Sequence, residues 1–71
     1  MIGKNIKELR LKKGWTQQNL SEKAKLTFSL LTKIEQGGVK EPGIQKLIRI
    51  ADALNVSLDT LVGRKFQKKY F

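Results

Sequence analysis

The segment Thr16–Gln36, TQQNLSEKAKLTFSLLTKIEQ, carries two helix signals separated by only a few residues. Thr16 can accept a hydrogen bond from a backbone N–H two or three residues later, so it predicts the N-cap of a helix. Leu20 and Ala24 then lie one turn apart on a single face. Thr27 is a second N-cap candidate. The helix that follows has its own apolar face, formed by Leu30, Leu31 and Ile34.

Two short helices joined by so short a turn must cross at a steep angle. The first is expected over about Gln17 to Ala24 and the second over about Phe28 to Gln36. This is the helix-turn-helix arrangement, which places its second helix in the major groove of DNA. The rest of the chain is then expected to act as a scaffold for the pair.

Three further helices are predicted around the pair. The first helix is indicated by four residues that recur at helical spacing, Ile2, Ile6, Leu9 and Lys13. Gly14 is expected to end it. Gly43 is expected to cap the fourth helix, most of which is expected to be buried in the core. Its apolar pattern is Ile44, Leu47, Ile48, Ala51 and Leu54. A fifth helix runs from Leu58 to Val62 and is closed by Gly63. The prediction is an all-α, compact five-helix bundle over residues 1–63, followed by a basic tail over residues 64–71.

Composition limits the chemistry. The 71 residues contain neither cysteine nor histidine, which excludes disulfides, the usual metal sites and catalytic triads. The few carboxylates are scattered, so no acid–base pair is expected and the chain is predicted not to be an enzyme and to need no cofactor. No apolar run is long enough for a membrane span and no signal peptide is expected. A cytoplasmic protein, associated with the nucleoid, is the expectation.

The charge points to a polyanionic partner. Fifteen Lys and Arg residues against six Asp and Glu give a formal net charge of +9, which folding does not require. A solvated, self-repelling surface is the alternative, because small basic domains have many kinds of partner.

The third helix supplies the candidate base-reading residues. Phe28, Ser29, Thr32 and Lys33 share its outer, N-terminal surface, from which side chains reach base edges. Ser29 and Thr32 can bond several bases, Lys33 can reach guanine, and Phe28 can pack on a thymine methyl group, which favours a step containing A·T. A Phe28 folded back on the core is the alternative.

Phosphate contacts are expected at both sides of this helix. Gln17 and Gln18 lie in the first turn of the second helix, where N–H groups suit a phosphate; two ordinary exposed glutamines are the alternative. Gly38 and Lys40, in the loop after the third helix, are the other candidates. Lys25 stands in the interhelical turn where glycine is usual, so this turn is either strained or differently shaped.

Taken together, IGKNIKELRLKKGWTQQNLSEKA, LTFSLLTKIEQG and LIRIADALNVSLDTL resemble the Cro/repressor-type (lambda-repressor-like) helix-turn-helix proteins of bacteria and their phages, over about Ile2 to Val62. The resemblance implies the five-helix fold. It implies that Gln17 touches a phosphate and steadies the start of the reading helix, and that Arg10 and Glu35 form a structural ion pair. It also implies a set of residues facing the groove, namely Thr27, Phe28, Ser29, Thr32 and Lys33, with Lys40 on the backbone beyond.

The expected function is sequence-specific binding of double-stranded DNA by a transcriptional repressor or regulator. One short reading helix contacts too few base pairs to select a genomic site, so a homodimer on a palindromic operator is expected. The alternative is a protein-interaction module, such as an antitoxin or an adaptor, built on the same fold.

Overall fold

The computed structural model describes residues 2–39 and 41–62 of the chain. These residues contain five helices joined by short turns and loops. In chain order they are α1 (Ile2–Lys12), α2 (Gln17–Ala24), α3 (Phe28–Glu35), α4 (Ile44–Leu54) and α5 (Leu58–Val62). No strand occurs within these two ranges, so the prediction of an all-α fold with a helix-turn-helix is confirmed. The predicted boundary after residue 63 and the basic tail lie outside the described residues.

The core lies where α2 packs against α4 and where α1 packs against α3 and α5. Leu20, Leu31 and Ile34, which the sequence placed on the inner faces of the helix-turn-helix, are completely buried. Burial of each such side chain contributes roughly 1.5–3 kcal/mol. The inner side of α3 is therefore fixed on α1 and α2, and its opposite side is left to solvent.

The buried face of α1 differs from the one that the apolar spacing indicated. Lys13 is exposed in the turn after the helix, and the buried residues are Gly3, Ile6 and Arg10. Their spacing of three and four residues is helical, but glycine and arginine hide it from a hydrophobicity pattern. Arg10 therefore points its guanidinium into the protein.

The buried face of α4 also differs from the predicted one. Leu47, Ile50, Ala51 and Leu54 are buried there. Two isoleucines that the sequence assigned to the core instead remain largely exposed, Ile44 at 59% and Ile48 at 42%. Gly43 is the N-cap, as predicted, although it supplies no side-chain bond.

Four helices end with a residue in the left-handed conformation and with bonds that return to the last turn. At the end of α2 this residue is Lys25, whose φ is 59°. The next residue, Leu26, donates its N–H to the carbonyl of Ser21 at 2.9 Å. The turn thus has the backbone that glycine would adopt, and lysine strains it by about 1 kcal/mol. The other three such residues are Gly14, Gly37 and Asn55.

Gly3 lies where α1 crosses the end of α3. A Cβ at this position would clash with the carbonyl oxygen of Ile34 and would lie 2.9 Å from that of Glu35. Both atoms belong to backbone, which cannot swing aside as a side chain can. The absence of a side chain at Gly3 therefore sets how closely α1 approaches α3, a role that the sequence analysis did not assign.

Candidate nucleic-acid interface

The start of α2 is held by a reciprocal pair of hydrogen bonds. The Oγ1 of Thr16 accepts from the N–H of Asn19 at 3.0 Å, and the N–H of Thr16 donates to Oδ1 of Asn19 at 3.1 Å. This is the capping-box arrangement with asparagine in the place of glutamate. The N-cap predicted at Thr16 is confirmed. Gln17 and Gln18 are thereby fixed in the first turn, where helix N–H groups have no intrahelical acceptor.

The outer face of α3 is open. Thr27 caps the helix by accepting from the N–H of Leu30 at 3.1 Å, as predicted. Phe28 remains 48% exposed, so it does not fold back on the core. Ser29 and Lys33 are exposed beside it. The structure therefore leaves Thr27, Phe28, Ser29 and Lys33 all accessible to a partner.

Thr32 departs from its expected position. It is only partly exposed, and its Oγ1 is buried with no hydrogen-bond partner. In this rotamer the hydroxyl is not presented with the other four residues. A buried hydroxyl without a partner costs roughly 1–3 kcal/mol, so a rotation that gave it a partner would be favourable. A role for Thr32 in base reading stays a prediction.

One ion pair joins α1 to α3, as predicted. The Nε of Arg10 donates to Oε2 of Glu35 at 2.8 Å, and its Nη2 donates to Oε1 at 3.0 Å. The side chains are only 8% and 2% exposed, so this bidentate pair is buried. The Nη1 of Arg10 also donates to the carbonyl of Trp15 at 2.8 Å. Arg10 thus fixes α3 and the connection that leads into α2.

Gln17 takes part in the same network. Its Nε2 donates to Oε1 of Glu35 at 3.0 Å. Glu35 is in the last turn of α3, so this bond holds the end of the helix and not its start, contrary to the expectation. The side chain is partly buried, which also sets it apart from an ordinary exposed glutamine.

The other predicted phosphate contacts differ in availability. Gln18 is exposed, and its Nε2 donates to Oε2 of Glu22 at 2.9 Å. The N–H of Gly38 donates to the carbonyl of Lys33 at 2.8 Å and closes the end of α3. That donor is already used, so Gly38 does not offer its N–H to a phosphate in this structure. Lys40 lies outside the described residues.

Trp15 covers part of the core and has two lysine ammonium groups near its ring. The ring is partly buried and packs against the core cluster. The Nζ of Lys23 lies 4.8 Å from the ring centroid and that of Lys13 lies 5.4 Å from it, both within cation–π range. These two lysines lie at the ends of different helices, and the ring keeps their charges near each other.

The described surface is cationic and carries no cluster of potential metal ligands. The Arg10–Glu35 pair is the one salt bridge found in residues 2–39 and 41–62, so the exposed lysines there keep their charge unpaired. No group of three potential metal ligands occurs in the same two ranges. Every helix described falls short of the length and apolar character that membrane crossing requires.

Comparison with known proteins gives consistent matches. A model of a helix-turn-helix family matches residues 6–61. The HTH-type transcriptional regulator SinR of Bacillus subtilis (strain 168) is 39% identical over 70 residues, which are 99% of this chain and 63% of that protein. This chain therefore spans less than two thirds of the relative's length.

Two solved structures share the fold. A crystal structure of SinR, the master regulator for biofilm formation, in complex with DNA has a TM-score of 0.83 and 41% identity, covering 86% of this chain and 97% of that one. A complex of SinR with the SinI protein has a TM-score of 0.84 and 40% identity, covering 87% of this chain and 60% of that one.

Proposed function

Because the chain belongs to the Cro/repressor-type helix-turn-helix family, we propose that it binds double-stranded DNA in a sequence-specific way as part of a transcriptional repressor. The observation that carries the proposal is the open face of α3, which is anchored on its other side by buried residues. The similar protein SinR has been solved with DNA. The formal net charge of +9 supplies the attraction to a polyanion.

Base reading is assigned to the exposed residues of α3. Lys33 can donate to O6 or N7 of guanine, Ser29 can bond several base edges, and Phe28 can cover a thymine methyl group. Thr27 stands at the N-terminus of the helix, the end that enters the groove. Thr32 joins them if its hydroxyl rotates outward.

Phosphate contacts are assigned to the first turn of α2. The N–H of Asn19 is taken by Thr16, but those of Gln17 and Gln18 have no intrahelical acceptor, and the helix dipole favours an anion. Gln17 and Gln18 add side-chain amides at the same place. Lys40 is assigned the backbone beyond the groove. Contacts of this kind fix the register of the protein on the duplex without reading its sequence.

We further propose that the protein acts as a homodimer on a palindromic operator, at the nucleoid in the cytoplasm. A single α3 of eight residues reads only a few base pairs. Two copies related by a two-fold axis would double the site, with half-sites about one helical turn, roughly 34 Å, apart.

The second candidate function is a protein-interaction module, such as an antitoxin. One observation favours it: SinR, which is similar to this chain, has also been solved in a complex with the SinI protein. An antitoxin would retain DNA binding and would co-purify with a partner. An adaptor without DNA binding would leave no footprint on any duplex, whatever its sequence.

Selection of binding sites from a pool of random duplexes tests the proposal. The expected result is a palindromic consensus with an A·T-containing step opposite Phe28. Affinity for that duplex should fall with salt with a log–log slope of about 0.9 for each phosphate neutralised. Recovery of no consensus, or an affinity that is independent of salt, would contradict the assignment.

A further inference from the structure

A groove lies between the end of α2 and the middle of α4, and we call it the α2–α4 groove. It is a cavity of about 450 Å³ that is partly open to solvent. Its lining is formed by six residues, Lys23, Ala24, Lys25, Arg49, Asp52 and Ala53. None of the six belongs to α3 or to the first turn of α2. The groove is therefore separate from the surfaces to which base and phosphate contacts are assigned.

Three side chains of the lining are cations without an ion-pair partner among the described residues. Lys23, Lys25 and Arg49 are all exposed, and none of them forms a salt bridge there. The Nζ of Lys23 lies 4.8 Å from the ring centroid of Trp15, which restrains this ammonium group. Asp52 is the one carboxylate in the described lining. The α2–α4 groove therefore has a net positive charge and attracts an anionic ligand.

The two remaining residues of the lining are alanines. Ala24 is 1% exposed and belongs to the core, and Ala53 is partly buried against it. Their side chains are short, so a narrow chain can lie close to both helices while its charged groups reach the cations. Sites for small organic molecules are mostly enclosed and lined by apolar and aromatic side chains, and the described lining contains no aromatic residue. The groove therefore suits a segment of a larger partner.

Asp52 distinguishes a peptide from a nucleic-acid strand. The backbone of a nucleic acid presents anionic oxygens, which the carboxylate of Asp52 repels. A peptide carries an N–H donor at every residue except proline, so it can satisfy Asp52 while its own carboxylates meet the cations. A duplex also presents its phosphates on a convex surface, whereas the α2–α4 groove is concave. Charge and shape together favour an acidic peptide.

We propose that the α2–α4 groove binds an extended acidic segment of a partner protein. The carboxylates of the segment pair with Lys23, Lys25 and Arg49, and one of its backbone N–H groups donates to Asp52. Such binding goes beyond the proposed function and requires no DNA. Since α3 is not part of the groove, a partner held there leaves the reading face free for a duplex.

NMR titration of the isotope-labelled chain with a blocked acidic heptapeptide, acetyl-EEAEAEE-amide, tests the proposal. Backbone amide signals of residues 23–25 and 49–53 should shift. The indole N–H signal of Trp15 should shift with them, because Lys23 lies over its ring. Signals from the outer face of α3 should stay in place. Shifts centred on α3, or spread evenly over the lysines of the whole chain, would refute the proposal.

Two other ligands test the identity of the occupant. A short duplex should shift signals of α3 and of the start of α2 but not those of the groove. Sodium tripolyphosphate has no donor for Asp52, so it should bind the groove at least about fivefold more weakly than the peptide. If the duplex shifts the groove signals, or if tripolyphosphate binds there as tightly as the peptide, the occupant is not a peptide and the proposal fails. A chain that binds the peptide and no duplex would contradict the proposed function alone.

Variants of equal charge separate the groove from general attraction to a basic protein. Lys25→Met with Arg49→Met removes two cations from the groove, and Lys4→Met with Lys7→Met removes two exposed cations from α1. The groove variant should bind the peptide at least about fivefold more weakly than the wild type, measured by the fluorescence of Trp15. The α1 variant should stay within about twofold, because salt screens exposed charges at a distance. Equal losses in the two variants would show attraction to net charge alone and would overturn the proposed site.

Discussion

Replacing Arg10 by methionine should severely destabilise the protein. The change leaves the carboxylate of Glu35, 2% exposed, with Gln17 as its one hydrogen-bond donor among the described residues. It also removes the donor to the carbonyl of Trp15. Removal of one partner from a buried ion pair costs about 3–5 kcal/mol, because the remaining charge is desolvated and uncompensated.

That loss is large compared with the whole stability of the domain. At about 0.05–0.15 kcal/mol per residue, 71 residues have a free energy of unfolding of roughly 4–11 kcal/mol. Each kcal/mol shifts the melting temperature of a domain of this size by about 4–8 °C. We therefore expect Arg10→Met to melt at least about 12 °C below the wild type, measured by far-UV circular dichroism with a urea titration in parallel.

The double variant Arg10→Met with Glu35→Leu identifies the cause. Apolar residues in place of both charges remove the uncompensated carboxylate, so most of the loss should be recovered. The carbonyl of Trp15 and the amide of Gln17 still lose their partners, which leaves a deficit of about 1–2 kcal/mol. Lys7→Met, an exposed position on the same helix, should stay within about 0.5 kcal/mol of the wild type. A single variant that melts like the wild type, or a double variant no better than the single one, would refute this reasoning.

Three other substitutions test separate features. Lys33→Ala should weaken operator binding by about 1–3 kcal/mol if Lys33 reads a base, and an equal loss on all duplexes in a titration would reassign it to a phosphate. Lys25→Gly should raise the melting temperature by up to about 5 °C, because relief of about 1 kcal/mol of left-handed strain exceeds the added entropy of the unfolded chain. Asn55→Gly, at a φ of 58°, should gain less because asparagine tolerates this conformation, and an equal gain would argue against strain at Lys25. Gly3→Ala should cost about 1–3 kcal/mol in urea unfolding through its clash with the end of α3, whereas Lys4→Ala in the same turn should not, and a Gly3→Ala protein as stable as the wild type would disprove the close contact.

Local signals in the sequence predicted the helix-turn-helix well. Thr16 and Thr27 are caps whose partners lie three residues away, and the inward positions of Leu31 and Ile34 follow from a period of 3.6 residues. Both kinds of signal are contained in a single turn or two, so no knowledge of the tertiary structure was needed. A strained turn at Lys25 was one of two alternatives that the sequence left open, since its neighbours in sequence define the turn.

Features that depend on contacts between helices were missed or misplaced. A side chain is excluded at Gly3 only because the end of α3 passes over it. No residue near Gly3 in the sequence indicates that contact. Gln17 and Glu35 are 18 residues apart in sequence, so their hydrogen bond has no local signature. Ile44 and Ile48 follow a helical period, but the period alone does not indicate how much of the apolar face is buried by other helices.

Under the proposed function, the division of α3 into two sides would let one scaffold serve different operators. Leu31, Ile34 and Glu35 hold the helix from within, while Phe28 and Lys33 project from the other side. Substitution of an outer residue leaves the core contacts unchanged, so base preference can vary with little cost in stability. Glu35 limits this freedom, because its carboxylate also binds Arg10 of α1 and Gln17 of α2. A change at Gln17 would remove one of these bonds and leave the outer residues of α3 unchanged.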